Sequence, residues 1–135
     1  MKVLIDTNVI LDFLLKREPY YNSSKETLMI CTHNNGVKGY IAMHSVNDIW
    51  YILRDLKQLE RRKCLKLICT ALTVGFTNHN EVYNAISNEK FTDFEDCLVD
   101  SVAYVNKVDY IITRNVKDYK TSRIKALTPM EFNCL

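Results

Sequence analysis

Short apolar runs alternate with longer segments of helical periodicity along this 135-residue chain. Val3, Leu4 and Ile5 form a run that stops at Asp6, the pattern of a strand buried on both faces. Val9, Ile10, Phe13 and Leu14 then recur at i, i+1, i+4 and i+5, a helical stripe closed off near Pro19. Asp6 therefore falls at a strand-to-helix turn. A second helix is expected from Ser23, with Glu26 three residues on as a capping box, ending before Asn35-Gly36. Gly39 to Met43 reads as another short strand. Ser45-Val-Asn-Asp48 has the side chains of a helix start, which would point Asp48 from the first turn. A charged helix is expected over Leu59 to Leu72 and a third strand over Thr73 to Thr77. Thr92-Asp-Phe-Glu95 is a second capping box, opening a helix that runs to Lys107. Asp109 to Thr113 is a fourth strand, followed by a basic loop and a last cap, Thr128-Pro129-Met-Glu131.

Alternating strands and helices predict an α/β fold, a parallel sheet flanked by helices on both faces, as one domain over residues 1–135. In such sheets ligand-binding groups gather beyond the carboxyl ends of the strands. Asp6, after the first strand, and Thr113 to Asp118, after the fourth, have that location; Asp48 and Asp96 must arrive from helix starts. Carboxylates brought within about 5 Å would repel by roughly 3 kcal/mol per pair at an effective dielectric of about 20. Without a cation some must be protonated. A hard divalent ion removes the conflict, and an all-oxygen set without His or Cys selects Mg²⁺ or Mn²⁺ over Zn²⁺. Such ions acidify water and stabilise charge developing on a phosphate, which makes metal-dependent phosphodiester chemistry the leading reading.

Composition narrows this picture mainly by exclusion. With 47% hydrophobic and 25% charged residues, 3 Gly and 2 Pro, the chain is neither disordered nor repetitive. A net charge of +2 permits RNA binding without arguing for it. Five cysteines, Cys31, Cys64, Cys69, Cys97 and Cys134, contain no Cys-x-x-Cys pair and read as reduced thiols, so a cytoplasmic location is expected. His33, His44 and His79 lack metal-ligand spacing. No segment approaches about 18 uncharged apolar residues, so no membrane span is expected.

The motifs resemble those of the PIN-domain ribonucleases, especially VapC-type toxins of toxin–antitoxin pairs. The opening motif, an apolar strand ending in Asp-Thr-Asn before two hydrophobic residues, matches Leu4 to Leu11. The third acid, at the head of an Asp-Ala-Leu-x-Ala-type helix, matches Asp96 to Ala103. The closing motif, Thr-Arg-Asn/Asp-x-x-Asp-Phe after an apolar pair, matches Ile111 to Tyr119. The resemblance implies a three-layer α/β/α PIN-like fold with a central parallel sheet of four to five strands. It implies an endoribonuclease leaving a 5′-phosphate and a 3′-hydroxyl, with catalytic Asp6, Asp48, Asp96 and Asp118, of which Asp6, Asp48 and Asp96 hold metal. Thr7, Asn8, Ser45, Thr113, Arg114 and Asn115 would support the site or the substrate. It also implies an RNA substrate, a cognate antitoxin whose C-terminal segment covers the acidic groove, and a homodimer. Two positions depart from the pattern: Asp48 stands where the family usually has Glu, one methylene shorter, and Asn115 stands where many relatives have an acid. The rival reading is a PIN-fold module that has lost its chemistry and docks RNA or a protein.

Each acid also has a plain structural role open to it. Asp6 and Asp48 could cap helices and Asp96 could complement a helix dipole. Asp118 could cap the turn after Asn115. Asp12 reads as a surface residue of the first helix, and Asp93, Glu95 and Asp100 as a solvated helix face or a second shell. Lys16, Arg17, Arg114, Lys117, Lys120, Arg123 and Lys125 flank the acids and either contact phosphates or decorate solvated loops.

Overall fold

The computed structural model describes all 135 residues. Five strands, β1 (Lys2–Ile5), β2 (Lys38–Ala42), β3 (Thr73–Gly75), β4 (Tyr110–Ile112) and β5 (Lys125–Leu127), form one sheet in the order β3-β2-β1-β4-β5. Every pairing is parallel, so all five carboxyl ends share one edge. Seven α-helices surround it: α1 (Thr7–Leu14), α2 (Tyr21–His33), α3 (Met43–Ile52), α4 (Gln58–Ala71), α5 (His79–Ile86), α6 (Phe94–Val105) and α7 (Pro129–Asn133).

The strands read as unbroken apolar runs because both faces are covered. Val3, Ile5, Ile41 and Ile112 face one core with Val9 and Ile10 of α1, Leu28 of α2, Ile49 of α3, Ile68 of α4 and Phe132 of α7. Leu4, Tyr40, Ala42 and Ile111 face the other, against Ala85 of α5 and Val99, Val102 and Ala103 of α6. The result is the three-layer α/β/α arrangement with five parallel strands, the upper end of the expected range. At Gly39 the sheet meets α2 and the end of α4 so closely that a Cβ would lie 2.5 Å from Leu72 Cδ2 and 2.9 Å from Cys31 Cβ.

Several boundaries differ from the sequence reading. Helix α2 starts at Tyr21, and no capping box forms at Ser23; the Ser23 hydroxyl donates back to the Tyr20 carbonyl and Glu26 accepts from Asn133. Helix α3 begins at Met43, which moves Asp48 into its second turn. Asp93, not Thr92, caps α6 by accepting from the Glu95 N–H at 2.8 Å. Helix α5, capped by Asn78, has no counterpart in the expected elements, and it shortens β3 to three residues. The basic loop contains a short 3₁₀ helix, Val116–Tyr119, and β5. The Thr128–Glu131 capping box forms in full.

Candidate active site

Asp6 follows β1 in extended conformation and caps α1, accepting from the Thr7 N–H at 2.7 Å through Oδ1. Pairing of β1 with β4 sets Ile5 beside Ile112, which brings Thr113 next to Asp6. The Thr113 hydroxyl donates to Asp6 Oδ2 at 2.8 Å and the Asn8 amide to the same oxygen at 3.1 Å. Asn8 is itself fixed from across the sheet, accepting the Arg114 N–H at 3.1 Å. The first and last motifs of the chain thus meet through sheet register, and Asp6 serves as cap and cleft residue at once.

Three further acids share a cleft of about 390 Å³ with Asp6, Thr7 and Asn8: Asp48 from α3, and Glu95 and Asp96 from the first turn of α6. Tyr119, at the end of the 3₁₀ helix, donates its hydroxyl to Asp6 Oδ2 at 3.3 Å and Asp96 Oδ1 at 3.2 Å. The two acceptor oxygens therefore lie no further apart than the sum of those distances. Glu95 faces Asp48 across the cleft, and the neighbouring Asp48 carboxyl favours the protonated form of Glu95.

This crowding shows in their acidity. Burial, then the Asp48 hydrogen bond and charge, pushes Glu95 up to about 7. Burial, then the charges of Asp6 and Asp93, pushes Asp96 up to about 6. Burial also raises Asp6, against the lowering effect of the Thr113, Thr7 and Tyr119 donors. Tyr119 is raised as well, by burial and then by the two anions it faces. Four acids in one cleft cannot all ionise cheaply without a counter-charge.

The remaining candidate residues lie elsewhere. Asp118 is exposed on the 3₁₀ helix, outside the cleft lining, although its charge raises Asp6 and Asp96. Ser45 is buried in α3 with no hydrogen-bond partner for its hydroxyl. Asn115 is exposed and engages Thr113 Oγ1 through its backbone N–H. The Arg114 guanidinium turns to Asp12 and stacks over the Tyr20 ring at 4.3 Å. Asp12 is no surface residue: it is 1% exposed and also faces Arg17, whose side chain lines the cleft. Nor is Asp100 solvated; it is buried and accepts from Ser122 and Arg123, and Arg123 bridges on to Glu81. Asp93 caps α6. Glu95, read from sequence as a solvated helix face or second shell, lines the cleft, and Tyr119, matched only as the aromatic that ends the closing motif, is buried against two of its acids.

The donor set suits a hard divalent ion by its chemistry, being all oxygen and over-charged for its burial. Thr7 also lines the cleft, and its buried Oγ1 has no hydrogen-bond partner. No three acids converge tightly enough to hold an ion as they stand.

Residues 2–117 match the family model described as PIN domain. No curated protein sequence matches the chain. Among solved structures, VapBC-1 from nontypeable Haemophilus influenzae is similar at 13% identity and a TM-score of 0.71, over 96% of this chain and 99% of that one. VapBC2 from Rickettsia felis, bound to a promoter DNA fragment, is similar at 14% identity and 0.68, over 95% and 98%. VapC20 from Mycobacterium tuberculosis, a Sarcin-Ricin loop cleaving toxin, is similar at 12% identity and 0.61, over 81% and 86%. At these identities the likeness establishes the fold.

Proposed function

Because the chain belongs to the PIN domain family, we propose that it is a Mg²⁺- or Mn²⁺-dependent endoribonuclease and the toxin of a toxin–antitoxin pair. The observation that carries the reading is one cleft, at the carboxyl edge of a parallel sheet, that gathers Asp6, Asp48, Glu95 and Asp96 with Thr7 and Asn8. Asp6, Asp48, Asp96 and Glu95 would hold the cation. When bound, a divalent cation supplies charge neutralisation, an acidified water and Lewis-acid stabilisation of the phosphate in an in-line displacement.

The chain's own residues supply placement and proton handling. Asp6 enters the reaction already oriented, since four donors fix its carboxylate. Glu95, raised to about 7, is poised to hold a proton near neutral pH in the metal-free cleft, one that a bound cation would displace. Arg17 is the basic side chain lining the cleft and is available to a substrate phosphate. Attack of water on phosphorus with loss of the 3′ oxygen would leave a 5′-phosphate and a 3′-hydroxyl. The antitoxin's C-terminal segment would close the same acidic cleft. The PIN fold of the VapBC complexes supports that partner, and a cytoplasmic homodimer completes the proposal.

The test is cleavage of a mixed RNA pool by the purified protein with Mn²⁺, beside EDTA and Asp96→Asn. Metal-dependent cutting that vanishes in the variant supports the nuclease. Equal behaviour of wild type and variant would sink it and leave the binding-module reading, which the lack of a ready three-acid cluster favours.

A further inference from the structure

Asp6 stands at the end of β1 and Asp96 at the start of α6, elements that belong to different layers. No side-chain hydrogen bond joins the two acids directly; what joins them is the Tyr119 hydroxyl, delivered by the 3₁₀ helix. A buried tyrosine hydroxyl needs one partner. Here a single proton faces two carboxylates, at 3.3 and 3.2 Å, both long for an O–H···O bond and nearly equal. Such equal, long contacts are those of a hydroxyl centred between two acceptors rather than committed to one.

The ring's position does not depend on those contacts. Tyr119 is 4% exposed within the second core, with Phe91 edge-on at a centroid distance of 6.5 Å. Packing therefore places the hydroxyl, and the hydroxyl then places the acids. Asp6 has three other donors to hold it, whereas the only hydrogen bond found for the Asp96 carboxylate is this one. The restraint falls chiefly on Asp96.

We infer that Tyr119 is a positioning residue of the cleft, whose hydroxyl clamps Asp96 against Asp6 and sets the spacing of the two carboxylates before a cation arrives. The inference rests on the metal-dependent reading above. It gives the basic loop a part in the chemistry without any contact to substrate, because displacing the 3₁₀ helix would release Asp96.

The test uses Tyr119→Phe, which keeps the packed ring and removes the clamp. In metal-free protein, the carboxyl ¹³C resonances of both Asp6 and Asp96 shift relative to wild type, with the larger change at Asp96. In calorimetric titration with Mn²⁺, Kd rises about 10- to 100-fold, the usual cost of removing a group that orients metal ligands. The melting temperature of the metal-free variant serves as the control for folding. A shift at one carboxyl alone, or a Kd that is unchanged or lower, overturns the inference while leaving the nuclease reading intact. Wild-type protein that takes up no Mn²⁺ overturns the nuclease reading instead, and the carboxyl resonances then decide the clamp by themselves.

Discussion

Replacing Asp12 tests whether a buried charge, invisible as such in the sequence, ties α1 to the closing loop. Its carboxylate is 1% exposed and lies 3.0 Å from Arg114 Nε and 3.7 Å from Arg17 Nη1. At 3 Å and an effective dielectric of about 20, the Arg114 pair is worth roughly 5 kcal/mol before desolvation. The two arginine side chains are 31% and 40% exposed, so water screens them and can receive them when the acid is gone. The cost of Asp12→Asn should therefore fall below the 3–5 kcal/mol of a fully buried broken pair, at about 2 kcal/mol. For a chain of this size that lowers Tm by roughly 6–8 °C. The assay is thermal unfolding of metal-free wild type, Asp12→Asn, Arg114→Gln and the double variant. A coupling of about 1 kcal/mol or more is expected, since the residues are in contact. A Tm within about 2 °C of wild type, or no coupling, would refute the reasoning and make Asp12 the ordinary helix-surface acid its sequence position suggests.

Two further outcomes follow from the acid cleft. Glu95, at about 7, and Asp96, at about 6, sit above their unfolded values of 4.5 and 3.8, so the folded metal-free protein holds protons that the unfolded chain has released. Stability should then fall as pH rises from about 4 through 7, the opposite of a salt-bridged carboxylate, and saturating Mn²⁺ should cancel the slope; a metal-free Tm that climbs over this range contradicts the assignment. In RNA cleavage with Mn²⁺, Glu95→Gln should lose at least about tenfold while Asp118→Asn loses little, because only Glu95 lines the cleft. Equal losses would return Asp118 to the site.

The sheet was legible because its strands are short apolar runs ended by polar residues, and the parallel order follows from helices between them. Helix α5 was not, since His79–Ile86 is only eight residues long, buries only Ala85 and presents Tyr83 and Ile86 to solvent. The capping box at Ser23 failed for a related reason. Side-chain types permit a cap, but packing decides where the helix starts, and here Asn133 of the distant α7 engages Ser23 and Glu26 instead. Asp12 and Asp100 were misplaced because burial of an acid depends on partners 102 and 23 residues away in Arg114 and Arg123, and periodicity carries no signal for such pairs.

The acids of the cleft were legible to the extent that they terminate elements, as Asp6 and Asp96 do. Asp48 does not: it lies in the second turn of α3, one methylene shorter than the glutamate expected there. What meets it is Glu95, the longer acid, projecting from the first turn of α6. A short acid on one wall faces a long one on the other, and with Asp6 and Asp96 they bring four carboxyls into the cleft. That pairing is invisible one motif at a time. Glu95 is displaced further from its ordinary acidity than Asp96, first by burial and then by the Asp48 carboxyl beside it, a contact that only the fold creates.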